Sequence, residues 1–540
     1  MSVPIPRLRS RYLAIAASMF FFLAGQAFVP LLGVEADEAL FGMAFLQPRS
    51  AASVHIGHST FPLMLMSYMG TLKAWIYRPI LRWFHPGVWS LREPMLVAGA
   101  VSIWLFYLLL RRTAGERAAV IGCILLACDS LYLLTTCFDW GPVALQHLLL
   151  IGAVLLLVRF YQEREPGSLA GGAFLLGLAL WDKALAAWML SGMGIAALGL
   201  FWREIRELIT PRRVVVAVAA FALGALPLLK YNTRNHWATF RGNFRSDFSE
   251  IRGKGQVLLL TLNGRGLFGY LTDEDWQTPV PHQPIGPLES ASARIAAMAG
   301  DPEHSLGLYA FLAAILLMPP AGGNDRRAVL FALIAMIVAW IEMAITANAG
   351  GSVHHTVLLW PFPHLIVAIS LSAASKRLGK AGKPVMGAVL GVLAISGILL
   401  TDEYYTRMRR NGGSESWTDA IFRLNTYVAK VPAKSVVSMD WGILEGLRFL
   451  SYGKLPLVGA DGRISKPELS AEDREVATQI VSDSGNLYIA HTKEAQIFPV
   501  NEKFLKLAAG LGYRRDSVAV IADSFGRPTF EVYRLVRASQ

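Results

Sequence analysis

Three carboxylates follow the first long apolar run of the chain. The stretch reads GVEADEALFG, so Glu35, Asp37 and Glu38 lie within about one helical turn of each other. A charged carboxylate inside lipid is costly, so these acids either lie in water beyond the apolar run or have a function that requires their position. A carboxylate shielded from bulk water can accept a proton from a hydroxyl or amine as that group attacks an electrophilic carbon.

Other polar residues interrupt or flank the later apolar runs. In chain order they are Asp139, Asp182, Lys183, Lys230, Arg234, His236, His354 and His355. Lysine and arginine side chains bind phosphate groups and stabilise the charge that develops when a phosphate leaves. A cavity that combines these acids and cations would suit group transfer from a lipid-linked phosphate.

The acids also have a simpler interpretation. Asp37 and Glu38 could be solvated residues at a helix end, and Asp139 could cap the helix that follows it. Asp182 and Lys183 could form an ion pair within a turn. Taken one at a time, these positions leave both interpretations open.

The cations and histidines have similar alternatives. Lys230 and Arg234 could extend to lipid headgroups. His354 and His355 could be hydrogen-bonded packing residues, because the spacing of a strong zinc motif is absent. The acids and histidines nevertheless permit a divalent metal, so metal dependence stays open.

The composition excludes an ordinary soluble protein. Of 540 residues, 54% are hydrophobic and 17% charged, and the mean hydropathy is +0.42. Such values predict a polytopic α-helical membrane protein. The net charge of +12 comes from short basic clusters between apolar runs, which indicates helix orientation signals and no nucleic-acid partner. Cys123, Cys128 and Cys137 form no CxxC pair and are interpreted as small packing residues.

Apolar segments of membrane length predict about eleven spans. They are 12–33, 95–110, 118–136, 143–158, 167–182, 184–202, 214–229, 305–320, 328–347, 354–374 and 384–400. The first run is too long for a cleaved signal peptide, so we expect it to be retained. Arginine and lysine clusters alternate with short loops that contain no lysine or arginine, such as 136–142 and 347–353, which predicts a cytoplasmic N-terminus and an outer C-terminal tail.

Three outer segments are too long to be simple connections. Residues 34–94 and 230–304 are predicted to be long outer loops of a transmembrane domain that covers residues 1–400. Residues 401–540 alternate β-branched runs, such as SVVSMD and FEVYRLV, with amphipathic stretches. This pattern predicts a soluble α/β domain on the outer face.

The motifs resemble those of the polyprenyl-phosphate-dependent glycosyltransferases of the GT-C fold, the group that holds protein O-mannosyltransferases and the aminoarabinose transferase of lipid A. EADEALFG resembles the acidic motif of their first outer loop. HSTFPLMLMSYMGTLKAWIY, which starts at His58, is similar to their His/Lys-Pro-Pro-Leu segment, with Phe61 in place of one proline. The stretch from Arg92 to Asp139 resembles a family Arg-to-Asp segment, and GLALWDKALAAW resembles the span that ends in a lysine, here Lys183.

The resemblance implies a function and a site. The donor would be a sugar on undecaprenyl or a similar polyprenyl phosphate, and a single displacement would invert the anomeric carbon. Catalytic roles would fall to Asp37 as the base, to Glu38 as its support and to Asp139. The donor phosphate would be held by Arg92, Lys183, Lys230 and Arg234, while His58, His354 and His355 would line the acceptor side.

The resemblance also implies an environment and partners. The acceptor would be a protein, a lipid or a glycan, and the location would be a bacterial inner membrane. A secondary transporter or flippase is the main alternative, although the sequence has no inverted halves and no paired broken helices. A non-catalytic envelope assembly protein is a third. Loss of activity in a folded Asp37→Asn variant would argue against both alternatives.

Overall fold

A long helical bundle forms most of the molecule. The structure, a computed structural model, describes residues 6–46, 50–57, 59–274, 282–318, 323–466, 468–498 and 500–538. The first helices are α1 (Pro6–Gln26), α2 (Ala36–Met43), α3 (Leu72–Trp83), α4 (Val88–Thr113), α5 (Glu116–Ala127), α6 (Ser130–Cys137), α7 (Val143–Glu163), α8 (Pro166–Asp182), α9 (Ala186–Leu208), α10 (Pro211–Gly224) and α11 (Leu226–Arg234).

The bundle continues to residue 411. Its remaining helices are α12 (Ala238–Asn243), α13 (Ile251–Leu262), α14 (Gly286–Ala299), α15 (Gly307–Leu316), α16 (Asn324–Ala344), α17 (Val353–Thr356), α18 (Phe362–Arg377) and α19 (Gly382–Asn411). Each of the predicted apolar segments overlaps one or two of these helices, and the segment 354–374 covers α17 and α18. The last helix continues beyond its apolar run because its polar end packs against the second long loop, where Ser292 donates a hydrogen bond to Asp402 at 2.7 Å.

The helices are apolar enough to cross a membrane. Among the described residues, five helices meet the length and hydropathy of a span, and up to seven spans result if each bent pair is taken as one. The bent pairs are α5 with α6, at 59°, and α10 with α11, at 73°. The sequence analysis found no paired broken helices, whereas the structure has these two bent pairs. The α5–α6 bend was missed because no proline or long polar gap marks it at Cys128 and Asp129.

The first long loop contains more structure than its sequence pattern suggests. It holds α2, α3 and a two-stranded antiparallel hairpin of β1 (Ala52–Ile56) and β2 (Ser59–Met64). Helix α3 buries Lys73, Ala74, Tyr77 and Leu81 on one face. This spacing of three and four residues is that of an amphipathic helix, as its sequence predicts.

The C-terminal part is a sheet covered by helices, which confirms the predicted α/β domain. Its helices are α20 (Ala420–Val428), α21 (Ile443–Leu450), α22 (Asp461–Ile464), α23 (Ala471–Ser482) and α24 (Val500–Gly510). Its strands are β3 (Ser435–Ser438), β4 (Leu457–Gly459), β5 (Asn486–His491), β6 (Tyr513–Ala522) and β7 (Pro528–Arg537). The sheet order is β4-β3-β5-β7-β6, with β3 parallel to β4 and β5 and the other pairs antiparallel.

The C-terminal domain contacts the start of the first long loop. The backbone N–H of Gly33 donates to the carbonyl of Trp417 at 2.7 Å. Gly33 also lies so close to Thr418 that a Cβ at this position would clash with its carbonyl oxygen. Helix α21 packs along α2, where Phe449 covers Gly42. These contacts bring the acidic stretch between the bundle and the C-terminal domain, and we call this side of the bundle the site face.

Candidate active site

The three carboxylates of the acidic stretch have different environments. Glu35 is the N-cap of α2, and its side chain accepts a hydrogen bond from the N–H of Glu38 at 2.9 Å. Glu35 and Glu38 are each 1% exposed, whereas Asp37 is only partly buried. The same helical turn therefore contains two buried structural acids, Glu35 and Glu38, and one accessible acid, Asp37.

Asp37 is the acid available to a substrate. No described residue donates a hydrogen bond to its carboxylate, whereas Glu35 and Glu38 both have partners. Burial raises the pKa of Asp37, and the charges of Lys183 and Lys73 oppose that rise. The carboxylate thus lies beside two cations without forming a hydrogen bond within the described chain.

Arg92, the residue expected at the donor phosphate, is occupied by the protein itself. Its Nε and Nη2 donate to the two carboxylate oxygens of Glu38 at 2.8 and 3.0 Å. Its remaining N–H groups donate to the carbonyls of Val29, Leu31 and Gly33 at 2.8, 2.7 and 2.6 Å. All five guanidinium N–H groups are used and the side chain is 0% exposed, so Arg92 orients Glu38 and the entry of the chain into α2.

Lys73 is a site residue that the sequence analysis did not identify. It extends from the buried face of α3 to Asp139, with Nζ 3.0 Å from Oδ2 and a further hydrogen bond to the Asp139 carbonyl. Asp139 Oδ1 accepts the N–H of Val143 at 2.7 Å, so the aspartate also caps α7. The signal was present in the sequence, since Lys73 is the one charged residue on the apolar face of an amphipathic helix.

Lys183 lies where the first long loop meets the connection between α8 and α9. The N–H of Ala184 donates to the Tyr68 carbonyl at 2.9 Å, and that of Gly70 donates to the Asp182 carbonyl at 3.0 Å. Gly70 is required at this contact, because a Cβ would clash with the carbonyl oxygen of Trp181. Lys183 is 1% exposed, and this burial lowers its pKa to about 8.

The Lys183 ammonium is only partly satisfied by the protein. Its one hydrogen bond within the described chain is to the carbonyl of Gly141, at 3.1 Å, which leaves two of its three N–H groups for a ligand. Asp182, its neighbour, faces elsewhere and accepts a hydrogen bond from Gln146 at 3.0 Å. The two residues therefore do not form the turn ion pair that the sequence permitted.

His354 lies against the same short loop as Lys183. The indole N–H of Trp140 donates to His354 Nδ1 at 3.0 Å, so the neutral ring carries its proton on Nε2. The ring of His355 lies beside it, with the centroids 4.1 Å apart. The Cδ2 edge of His354 faces Gly141 closely enough that a Cβ there would come within 2.8 Å. His354 therefore carries its ring N–H on Nε2, and its ring and the Lys183 ammonium both lie next to Gly141.

Two tyrosines complete the surroundings of Asp37, and neither was expected. Burial and the Asp37 charge raise the pKa of Tyr68. Burial and the charges of Glu35 and Asp37 raise the pKa of Tyr270, which the second long loop supplies. Tyr270 packs on Trp140, with ring centroids 5.0 Å apart. Only the folded chain reveals these neighbours: Tyr270 comes from a loop without a recognisable motif, and the motif that contains Tyr68 does not indicate its contact with Asp37.

Two predicted residues, Lys230 and Arg234, are not brought into this cluster. Lys230 and Arg234 lie on α11, the first partly buried and the second exposed, and no described side chain forms an ion pair with either. His58 lies outside the described residues. In the part of the chain that the structure describes, no group of three or more His, Cys, Asp or Glu side chains is arranged to hold a metal.

The whole fold resembles that of solved membrane glycosyltransferases. ArnT from Cupriavidus metallidurans, bound to undecaprenyl phosphate, matches with a TM-score of 0.57 at 12% identity over 96% of this chain and 97% of that one. An Archaeoglobus fulgidus oligosaccharyltransferase, in complex with Zn and sulfate, matches with a TM-score of 0.53 at 12% identity over 89% of this chain and 68% of that one. The chain is a multi-pass membrane protein with the GT-C fold.

A family model matches the centre of the bundle. It is described as dolichyl-phosphate-mannose-protein mannosyltransferase and covers residues 70–230. This range supplies Lys73, Arg92, Asp139 and Lys183, whereas the acidic stretch precedes it. No curated protein sequence matches the chain significantly.

Proposed function

We propose that the protein is an integral membrane glycosyltransferase that moves a sugar from a polyprenyl-phosphate donor to an acceptor, with Asp37 as the base. The observation that carries the proposal is the arrangement of Asp37, a partly buried carboxylate without a hydrogen-bond partner among the described residues, beside Lys73 and Lys183. The GT-C fold and the family match at 70–230 support the reaction class.

The proposed reaction is a single displacement. Asp37 accepts the proton of an acceptor hydroxyl or amine as the acceptor atom attacks the anomeric carbon. The bond from that carbon to the donor phosphate breaks, and polyprenyl phosphate leaves with the electron pair. Attack from the side opposite the phosphate inverts the anomeric configuration.

Lys183 is the proposed principal ligand of the leaving phosphate, because two of its N–H groups are unused by the described chain. Lys73 adds positive charge while it holds Asp139, and the Nε2–H of His354 is a further donor. Arg92 and Glu38 are proposed as positioning residues that fix α2. For Lys230 and Arg234 we propose only contacts with the headgroup of a lipid donor as it approaches the site.

The charge distribution of the loops supports an orientation. We propose a bacterial inner membrane, a cytoplasmic N-terminus and an outer site face, because the short loops on the opposite side carry the arginines and lysines. We also propose that residues 1–400 form the transmembrane catalytic domain and 401–540 the outer domain. An acceptor outside the cytoplasm follows from this orientation.

A transfer assay tests the activity. The full-length protein, purified in detergent, is incubated with radiolabelled polyprenyl-phosphate sugars and an envelope extract. We expect label to move from one of these donors to a protein, lipid or glycan fraction, which identifies sugar and acceptor together. If the folded protein transfers no label from any of these donors, the result contradicts the proposal and favours a transporter or flippase.

An apolar cavity offers space for the donor lipid. It has a volume of about 640 Å³ and lies between α7, α8, α9, α10, α16 and α18. Its walls include Trp360 toward the site face and Arg213 toward the opposite face. Because the lining is almost wholly aliphatic and aromatic, we propose that it takes part of the polyprenyl chain.

Filling this cavity is expected to weaken binding of long donors selectively. Ala197 lines it, so Ala197→Phe should raise KM severalfold for a long-chain polyprenyl donor and leave KM for a short-chain donor unchanged. Ile195→Phe is the control, because Ile195 is 49% exposed on the same helix and outside the lining. An equal rise in KM for both donors would place the chain elsewhere.

The activity is expected to have a bell-shaped pH dependence. The base must be ionised, and burial raises the pKa of Asp37, so activity falls as pH drops through a value above that of an ordinary aspartate. Lys183 must be charged and has a pKa of about 8, so activity also falls as pH rises through that value. The pH profile of kcat/KM checks both limbs, and Lys183→Arg should move only the alkaline limb upward.

A further inference from the structure

Outside the active site, one arginine of α3 is held in an aromatic frame. The guanidinium carbon of Arg78 lies 4.4 Å from the ring centroid of Phe61 and 4.9 Å from that of Phe45. The two rings are 6.3 Å apart at 87°, and Trp75 packs on Phe61 at 5.8 Å. The guanidinium is therefore held between two aromatic side chains from different parts of the first long loop.

The polar groups of Arg78 remain free for a ligand. The side chain is exposed, and no described residue accepts a hydrogen bond from it or forms an ion pair with it. Helix α3 has no acidic residue, and its buried cation, Lys73, faces Asp139 on the opposite side of the helix. A planar guanidinium with all of its N–H groups available matches the oxygens of a phosphate.

The position of Arg78 indicates the source of that phosphate. Around the junction of α3 and α4, Trp83 at the end of α3, Phe84 and Trp89 are exposed by 81%, 67% and 52%. Trp89 is in the first turn of α4, a helix long enough to span a membrane. Exposed tryptophans at the start of a span mark the level of the lipid headgroups. Arg78 lies less than two turns before Trp83, about 8 Å along the helix, which is within the reach of an arginine side chain.

We infer that Arg78, framed by Phe45 and Phe61, is a binding point for the phosphate of an anionic phospholipid in the leaflet on the site face. Lys73 and Arg78 then use opposite faces of one helix, the first toward Asp139 and the second toward the bilayer. Binding of a headgroup at Arg78 would hold α3 against the membrane and keep Lys73 at Asp139. This inference does not depend on the glycosyltransferase proposal.

Arg82 provides a matched control. It is also exposed, lies one turn further along α3, and has no aromatic ring around its guanidinium among the described residues. Diffuse attraction between a basic helix and anionic lipid would make both arginines equivalent. A defined phosphate site at Arg78 predicts that loss of Arg78 weakens lipid binding and that loss of Arg82 does not.

Native mass spectrometry of the full-length protein in detergent, with phosphatidylglycerol titrated against phosphatidylcholine, tests the inference. We expect wild type to retain one phosphatidylglycerol, Arg78→Ala to bind it about fivefold more weakly, Arg78→Lys to be intermediate and Arg82→Ala to match wild type. A thermal melt of each variant excludes loss of folding, and Phe61→Leu should weaken binding while keeping the charge.

Several results would overturn the inference. Equal weakening by Arg78→Ala and Arg82→Ala would show diffuse attraction, and unchanged binding in Arg78→Ala would exclude the residue. A parallel titration with polyprenyl phosphate distinguishes the other source of this chemistry. Weakened binding of polyprenyl phosphate alone would assign Arg78 to the donor and not to a bulk phospholipid.

Discussion

Asp37→Asn is expected to reduce transfer activity by about 10²–10⁴-fold, the usual contribution of a general base, and to leave the protein folded. The amide has the same shape as the carboxylate but cannot take a proton from the acceptor. No described residue donates a hydrogen bond to Asp37, so the substitution leaves no buried donor unpaired. We therefore expect the free energy of unfolding to change by less than about 1 kcal/mol.

The measurement is kcat/KM for labelled-sugar transfer, together with the melting temperature in detergent. Asp247→Asn is the control, because among the described residues its carboxylate accepts hydrogen bonds only from Ser249 in the second long loop, and the same charge is removed. Donor binding by Asp37→Asn should be retained, since Lys183 and Lys73 are intact. Activity equal to wild type would remove Asp37 from the mechanism, whereas loss of donor binding would make it a structural residue.

Arg92→Met is expected to have the largest effect on stability, about 3–5 kcal/mol, because it leaves the buried Glu38 carboxylate without its partner. The three carbonyls of Val29, Leu31 and Gly33 would also lose their donor. Arg112→Met is the matched control, because Arg112 forms a similar ion pair to Glu163 at 2.7 Å on an exposed surface, where such pairs contribute little.

Denaturation in detergent, followed by tryptophan fluorescence, compares the variants. The double variant Arg92→Met with Glu38→Gln should be destabilised by less than the sum of the two single variants, because no unpaired charge then remains. If Arg92→Met is as stable as wild type but loses affinity for the donor, the arginine binds the phosphate and its bonds to Glu38 are incidental.

The two bent helix pairs remove one argument against the alternative that the protein is a transporter. Broken spans are typical of transporter sites, and the sequence analysis counted their supposed absence against a transporter. Two bent pairs are present, so that argument no longer holds. The case for an enzyme now depends on the environment of Asp37 and on the fold, which is why the transfer assay with Asp37→Asn decides between them.

The sequence by itself determined the membrane class, the position of the long apolar helices and the α/β character of the C-terminal part. It did so because hydropathy and periodicity act locally, since each span must bury its own backbone polar groups within one segment. It also marked Asp37, Asp139 and Lys183 as residues of interest, because charges at the ends of apolar runs are costly and therefore conspicuous.

Only the tertiary structure decided what these residues contact. Arg92 looked like a phosphate ligand, yet five bonds to Glu38 and three carbonyls occupy it. Lys73 and Tyr270 lie near Asp37, although they come from a helix and a loop far apart in the chain. The physical reason is that a side chain's partners depend on how distant segments pack, and neither hydropathy nor periodicity carries that information.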